Sequence, residues 1–130
     1  VLPHKKKQRN YLNRSNLRAE LIAWRAAGGQ VADISEKLYN MFRLLVDELG
    51  AKACFRNYPF VDEMKEHALM LLIQYAHNFD PSYKHANAFA YCTQIAKNAF
   101  FQVIKSETKL KNLRKELYDK KSKHGSEGVA

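Results

Sequence analysis

The sequence predicts an all-α protein, a single bundle of four to five helices with a long basic C-terminal helix. Three observations lead there. Apolar residues recur at three-four spacing along the chain, no segment alternates polar and apolar residues long enough to make a strand, and glycine and proline number only 5 and 3 among 130 residues. With 46% hydrophobic residues there is material for one core and little room for a second.

The first predicted helix runs from about Leu12 to Ala27, with Leu17, Leu21 and Trp24 on one face, and stops at Gly28-Gly29. The second runs from about Asp33 to Leu49, its apolar face made by Val31, Ile34, Leu38, Met41, Phe42, Leu45 and Leu49. Asp33 with Glu36 resembles a capping box, and Gly50 closes the other end. A third begins after Pro59 and runs to about His77 with Val61, Met64, Ala68, Leu71, Leu72 and Tyr75 inward. Asp80-Pro81 then breaks the chain. The fourth opens near Asn87 as N-cap and continues past Lys105, with Ala88, Cys92, Ile95, Ala99 and Val103 in one stripe. Phe89, Tyr91, Phe100 and Phe101 do not all fit on that stripe. Beyond Ser106 the pattern thins to Leu110, Leu113 and Leu117 among lysines, and 120–130 reads as a frayed tail. The expected organisation is a basic arm over 1–10, a helical domain over 11–109, and a basic helical extension with a disordered tail over 110–130.

The formal charge of +9 is unevenly spread. Residues 1–18 carry six basic side chains and no acid, 19–96 carry seven basic and nine acidic, and 97–130 carry nine basic and four acidic. A slightly acidic body therefore has two basic ends, which suits a polyanion such as nucleic acid and equally suits two solvated tails.

Much chemistry is excluded. Cys54 and Cys92 lie far apart without a second pair, which argues against a disulfide scaffold and fits a reducing cytoplasm. His4, His67, His77, His85 and His124 show no metal-ligand spacing, so no metal or other cofactor is expected. There is no phosphate loop, HExxH or GxSxG, and Asp62, Glu63 and Glu66 read as a solvated acidic helix face, so no enzyme activity is expected. No apolar run of about 18 residues exists, and the start Val1 to Lys7 has no apolar stretch after its charges. Neither a membrane span nor a secretory signal is expected, and the absence of an initiator Met reads as a processed or trimmed chain.

The segment 87–105 stands out. On a helix Tyr91, Gln94, Asn98, Phe101, Gln102 and Lys105 share a face opposite the apolar stripe. Aromatic rings stack on unpaired bases, amides pair with base edges and lysines reach phosphates, as reading a single strand or melted duplex requires. The same residues read equally as core aromatics and solvated amides.

Val61-Asp62-Glu63-Met64 through Asn78-Phe79-Asp80, a short loop, then Phe89-Ala90-Tyr91-Cys92-Thr93 through Ile104-Lys105 resembles the conserved second region of bacterial sigma factors. Tyr11-Leu12-Asn13 leading to Ile22-Ala23-Trp24-Arg25, with His77-Asn78-Phe79-Asp80, Thr93-Gln94 and Asn98-Ala99-Phe100, is more similar to the late-transcription sigma factors of T-even-type phages. The likeness spans roughly residues 10–109.

The resemblance implies a fold like sigma factor domain 2 and a non-catalytic specificity subunit in the cytoplasm of an infected bacterial host. It would bind the coiled coil of the β′ clamp of core RNA polymerase through Asp62, Glu63, Lys65 and Glu66. It would read an AT-rich, minus-ten-like late promoter element, chiefly the melted non-template strand, through Tyr91, Gln94, Ile95, Lys97, Asn98, Phe101, Gln102 and Lys105. Gln94 and Ile95 occupy the tryptophan pair of housekeeping factors, a loss shared by the phage relatives, and Lys65 stands where an amide is usual. No helix-turn-helix follows. Gly125 to Ala130 lacks the acidic-hydrophobic tail with which the late factors bind a sliding clamp, so either that tail lies outside this chain or the clamp is not needed. A sliding clamp and a co-activator are the further partners the resemblance allows. The alternative function is a helical adaptor that binds and redirects or inhibits polymerase without touching DNA, and a basic RNA-binding bundle is a third.

Overall fold

Helix α1 spans Arg14–Ala26, and its Leu17, Leu21 and Trp24 are buried at the three-four spacing that makes one helical face. The computed structural model describes residues 14–83 and 86–129, with side chains over 16–83 and 86–122. The basic arm over 1–10, the Tyr11-Leu12-Asn13 motif and the expected start at Leu12 lie outside the described residues. At its C-terminal end the Gly29 N–H bonds back to the Trp24 carbonyl at 2.9 Å and the Gly28 N–H to the Arg25 carbonyl at 3.1 Å, the bond pair of a Schellman motif. Both glycines have left-handed backbone, φ 114° and 66°. Gly29 is doubly constrained, because a Cβ there would lie 2.7 Å from Cδ2 of the His77 ring. Gly29→Ala is expected to destabilise the protein by about 1–3 kcal/mol from backbone strain alone, before the clash is counted. An unchanged midpoint in urea unfolding would contradict this packing.

Helix α2, Glu36–Gly50, starts three residues later than expected. The polar neighbour nearest the helix supplies the cap: the Ser35 hydroxyl accepts from Leu38 N at 3.0 Å and donates to Glu20 Oε2 at 3.0 Å. Asp33 instead closes a 3-10 turn, Val31–Asp33, and Ile34 is extended, so the Asp33–Glu36 capping box is not formed. Val31 is consequently exposed, while Leu38, Phe42, Leu45, Val46 and Leu49 are buried. The helix ends at Gly50 as expected, though not through a left-handed cap. Gly50 belongs to the last turn without positive φ, and its missing side chain makes room for the Lys65 stem, whose Cδ would lie 2.8 Å from an added Cβ.

Between α2 and the next helix the chain turns through 51–60, and here periodicity misses a core residue. Phe55 is buried edge-on against Phe100, with ring centroids 5.0 Å apart.

Helix α3, Val61–Tyr75, begins with Asp62 and Glu63 in its first turn, where carboxylates face the positive end of the helix dipole. Met64, Ala68 and Leu72 are buried as expected, and Leu69 joins them. Tyr75 is not inward, being 52% exposed, because the buried stripe of Met64, Ala68 and Leu72 continues at four-residue spacing to Ala76 and leaves Tyr75 beside it.

Helix α4 spans Ala88–Val129, 42 residues without a break. At 1.5 Å per residue it is about 63 Å long. Asn87 caps it as expected, its Oδ1 accepting from Ala90 N at 3.1 Å. Ala88, Cys92, Ala96, Ala99 and Phe100 are buried, and Ile95 and Val103 lie at the core's edge. Small residues on this stripe let α3 and α4 pack as the principal pair of the bundle, with α1 and α2 against them. From residue 105 to 122 nearly every side chain is exposed. The second half of α4 thus runs beyond the core with Leu110, Leu113 and Leu117 uncovered. The described helix runs on to Val129. Among the described residues there is no strand, and the fold is an all-α bundle of four helices.

The two cysteines differ in environment. Burial pushes the Cys92 thiol up to about 12, so it stays protonated at neutral pH, whereas Cys54 is exposed. Because the thiolate is the nucleophile, iodoacetamide is expected to modify Cys54 and spare Cys92 until the protein unfolds. Mass spectrometry checks this, and equal labelling of both in the native protein would contradict the burial of Cys92.

Candidate nucleic-acid interface

The approach to α4 is built by two arginines of α1. Arg25 Nη1 donates to the Phe79 carbonyl at 2.6 Å and Arg18 Nη2 to the Pro81 carbonyl at 3.3 Å, tying the loop after α3 to the first helix. Asp80 shapes that loop by accepting from the Ser82 hydroxyl at 2.6 Å and the Ser82 N–H at 2.9 Å. These two bonds, the hydroxyl first, hold the Asp80 carboxyl below its usual range. A depressed carboxyl favours the fold above its unfolded-state range, and that contribution is lost as pH falls through the depressed value.

Phe79, buried, lies 5.5 Å from the Tyr91 ring, and burial raises the Tyr91 phenol above its ordinary value, partly offset by Arg25. Around these rings is an open cleft of about 330 Å³ lined also by Asn78, Asp80, Tyr83, Ala86 and Asn87. Its aromatic rings and amide rim are the chemistry that holds a flat heterocycle: π-faces to stack on and donor-acceptor groups to pair with its edge. Of these residues only Tyr91 is a site residue in the sequence reading. Asn78 and Tyr83 carry no periodic signal, and Asn87 reads only as a cap.

Along α4 beyond the cleft, Gln94, Asn98, Phe101, Gln102 and Lys105 are exposed, whereas Tyr91, Ile95 and Lys97 are half-buried. Gln94 Nε2 donates to Asn98 Oδ1 at 2.9 Å. Phe101 is 54% exposed with its ring 5.8 Å from Phe55, which fixes it while leaving much of it open. Gln102 Oε1 lies 2.9 Å from His67 Nε2, so it is engaged at the α3–α4 seam. Ile95 packs against the core. The eight residues thus divide into an outer line of Gln94, Asn98, Phe101 and Lys105, with the others at its margins.

The acidic set on α3 is partly turned toward α2. Glu66 Oε1 accepts from Arg43 Nη1 at 2.7 Å, and Lys65 lies between Asp47 at 3.4 Å and Asp62 at 3.6 Å. The Asp62 side chain is 91% exposed and Glu63 is exposed. Next to Glu66 runs an open groove lined by Val31, Tyr39, Leu69, Met70, Ile73 and Gln74. Exposed Tyr39, Met70 and Val31 make it an apolar surface with a carboxylate at its rim, a combination suited to a helix carrying apolar and basic side chains. The sequence holds a signal for it: Tyr39 and Met70 sit off the apolar stripes of their helices, where polar residues belong.

Among the described residues no cluster of His, Cys, Asp and Glu could hold a metal ion, and no helix is long and apolar enough to cross a membrane. Comparison with models of protein families, with curated proteins and with solved structures finds no significant match to this chain.

Proposed function

We propose that the protein is a phage-type sigma factor. In this reading it binds bacterial core RNA polymerase and directs initiation by recognising and melting an AT-rich, minus-ten-like late promoter element. The observation that carries it is the outer line of α4, where an exposed aromatic ring, two amides and a lysine continue from an open cleft lined by aromatic rings. Melted DNA presents the three groups such a line contacts: base faces, base edges and phosphates. The polymerase clamp coiled coil would dock on the α2–α3 surface, where the groove meets Glu66, Glu63 and Asp62. Charges of the basic ends would add salt-labile, sequence-independent affinity.

The test is run-off transcription by core polymerase plus this protein on a supercoiled template carrying candidate late promoters. A promoter-dependent product is expected. None, with or without sliding clamp, would sink the reading. The exposed apolar surface at Val31, Tyr39 and Met70 favours one alternative, a helical adaptor that redirects or inhibits polymerase by protein contacts alone. It would give polymerase binding with a footprint confined to protein.

A further inference from the structure

We infer that Gln94 is a positioning residue that fixes which way the Asn98 amide faces and thereby gives α4 a preference for adenine. The inference rests on the proposed reading of α4 as the helix that contacts DNA. Gln94 and Asn98 are one turn apart and both exposed, and the bond between them is directional, from Gln94 Nε2 to Asn98 Oδ1 at 2.9 Å. A carboxamide has one oxygen and one NH2 group, so engaging one end decides what the other end presents. With its Oδ1 held by Gln94, Asn98 turns its NH2 away from Gln94 as a donor. Gln94, having donated, keeps its Oε1 as an acceptor. The interlocked pair therefore offers one acceptor beside one donor.

Adenine is the complement on its major-groove edge, where the N6 amino group donates next to the N7 acceptor. On that edge guanine offers two acceptors, O6 and N7, thymine has no amino group, and cytosine has an amino group with no ring acceptor beside it. Without Gln94 the Asn98 amide could rotate and present either end. Interlocking removes that freedom before DNA arrives, which is preorganisation of the reading group.

The test uses the full chain with bacterial core RNA polymerase and measures open-complex formation. The promoters carry each of the four bases, or purine lacking the amino group, at single positions of the melted element. Wild-type protein is expected to favour adenine at one position by on the order of tenfold over guanine, cytosine, thymine and purine. Asn98→Ala should abolish that preference. Gln94→Ala frees the amide and should reduce the preference to a few-fold. Gln94→Glu should remove it more completely, because a carboxylate can only accept and would hold Asn98 by its NH2, turning Oδ1 outward. Core binding and unfolding midpoint should stay at wild-type values in all three, which a merely structural role for Gln94 would not allow. If Asn98→Ala loses the preference while both Gln94 variants keep it, the positioning role is overturned and the DNA reading of α4 stands. If Asn98→Ala keeps it, if the preferred base is not adenine, or if no open complex forms, the inference fails, and with no open complex the sigma reading fails as well.

Discussion

Phe100→Ala is expected to cost about 3–5 kcal/mol of stability, a large part of what holds a domain of this size folded, whereas Phe101→Ala should leave the protein folded and damage function. The two residues are adjacent, yet 100° of helix separates their environments. Phe100 is 0% exposed and meets Phe55 edge-on at 5.0 Å, so truncation leaves a cavity lined by residues with nothing else to pack on. Phe101 is 54% exposed and touches Phe55 from outside at 5.8 Å. Losing that contact costs about 1 kcal/mol. As the aromatic ring of the proposed reader line, however, it would forfeit a stacking contact worth roughly 1–3 kcal/mol, about 5- to 150-fold in open-complex formation. Urea unfolding and open-complex assays on the two variants check both halves. A Phe101→Ala protein that is folded and fully active would remove Phe101 from the DNA surface.

The second large effect is expected at Glu66. Glu66→Arg should lower affinity for core polymerase by on the order of tenfold or more, since it puts a like charge where the proposed partner is basic. Stability should change little, because the Arg43–Glu66 pair is largely exposed and solvent-screened pairs contribute little. A local objection is that the substitution also sets two arginines against each other across α2 and α3. The double variant Arg43→Glu, Glu66→Arg separates these effects by restoring the pair with its polarity reversed. Polymerase binding should stay low in the double variant. Recovery there would mean that the α2–α3 pair, and not an acidic docking surface, was what Glu66 supplied.

How much was legible in the sequence follows from what each feature depends on. The three-four spacing of Leu17, Leu21 and Trp24, of Leu38, Phe42 and Leu45, and of Met64, Ala68 and Leu72 reports local geometry directly, and all nine are buried. The start of α2 differs from the expected one because spacing alone cannot choose between Asp33 and Ser35. What chooses is the Glu20 carboxylate from α1, which binds the Ser35 hydroxyl. Gly50 ends α2 where the pattern places it, but its second use, admitting the Lys65 stem, is a contact between helices that no local pattern encodes. Phe55 escaped because a core residue in a turn has no period.

The candidate site divides in the same way. The α4 face follows from 3.6 residues per turn, and its outer line was legible. That Tyr91 joins Asn78 and Tyr83 in a cleft was not, since the loop carrying them is placed by Arg18 and Arg25 of a helix more than fifty residues away in sequence. Nor was the turning of Lys65 and Glu66 toward α2, which needs the positions of Arg43 and Asp47.

The most direct measurement replaces Phe101 by a photocrosslinking phenylalanine analogue and irradiates the complex of this protein, core RNA polymerase and promoter DNA. A crosslink to the non-template strand within the melted element, present in the open complex and absent from the closed one, is the result expected of a promoter-reading α4. Crosslinks to polymerase subunits alone, in a complex that still melts the promoter, would contradict it.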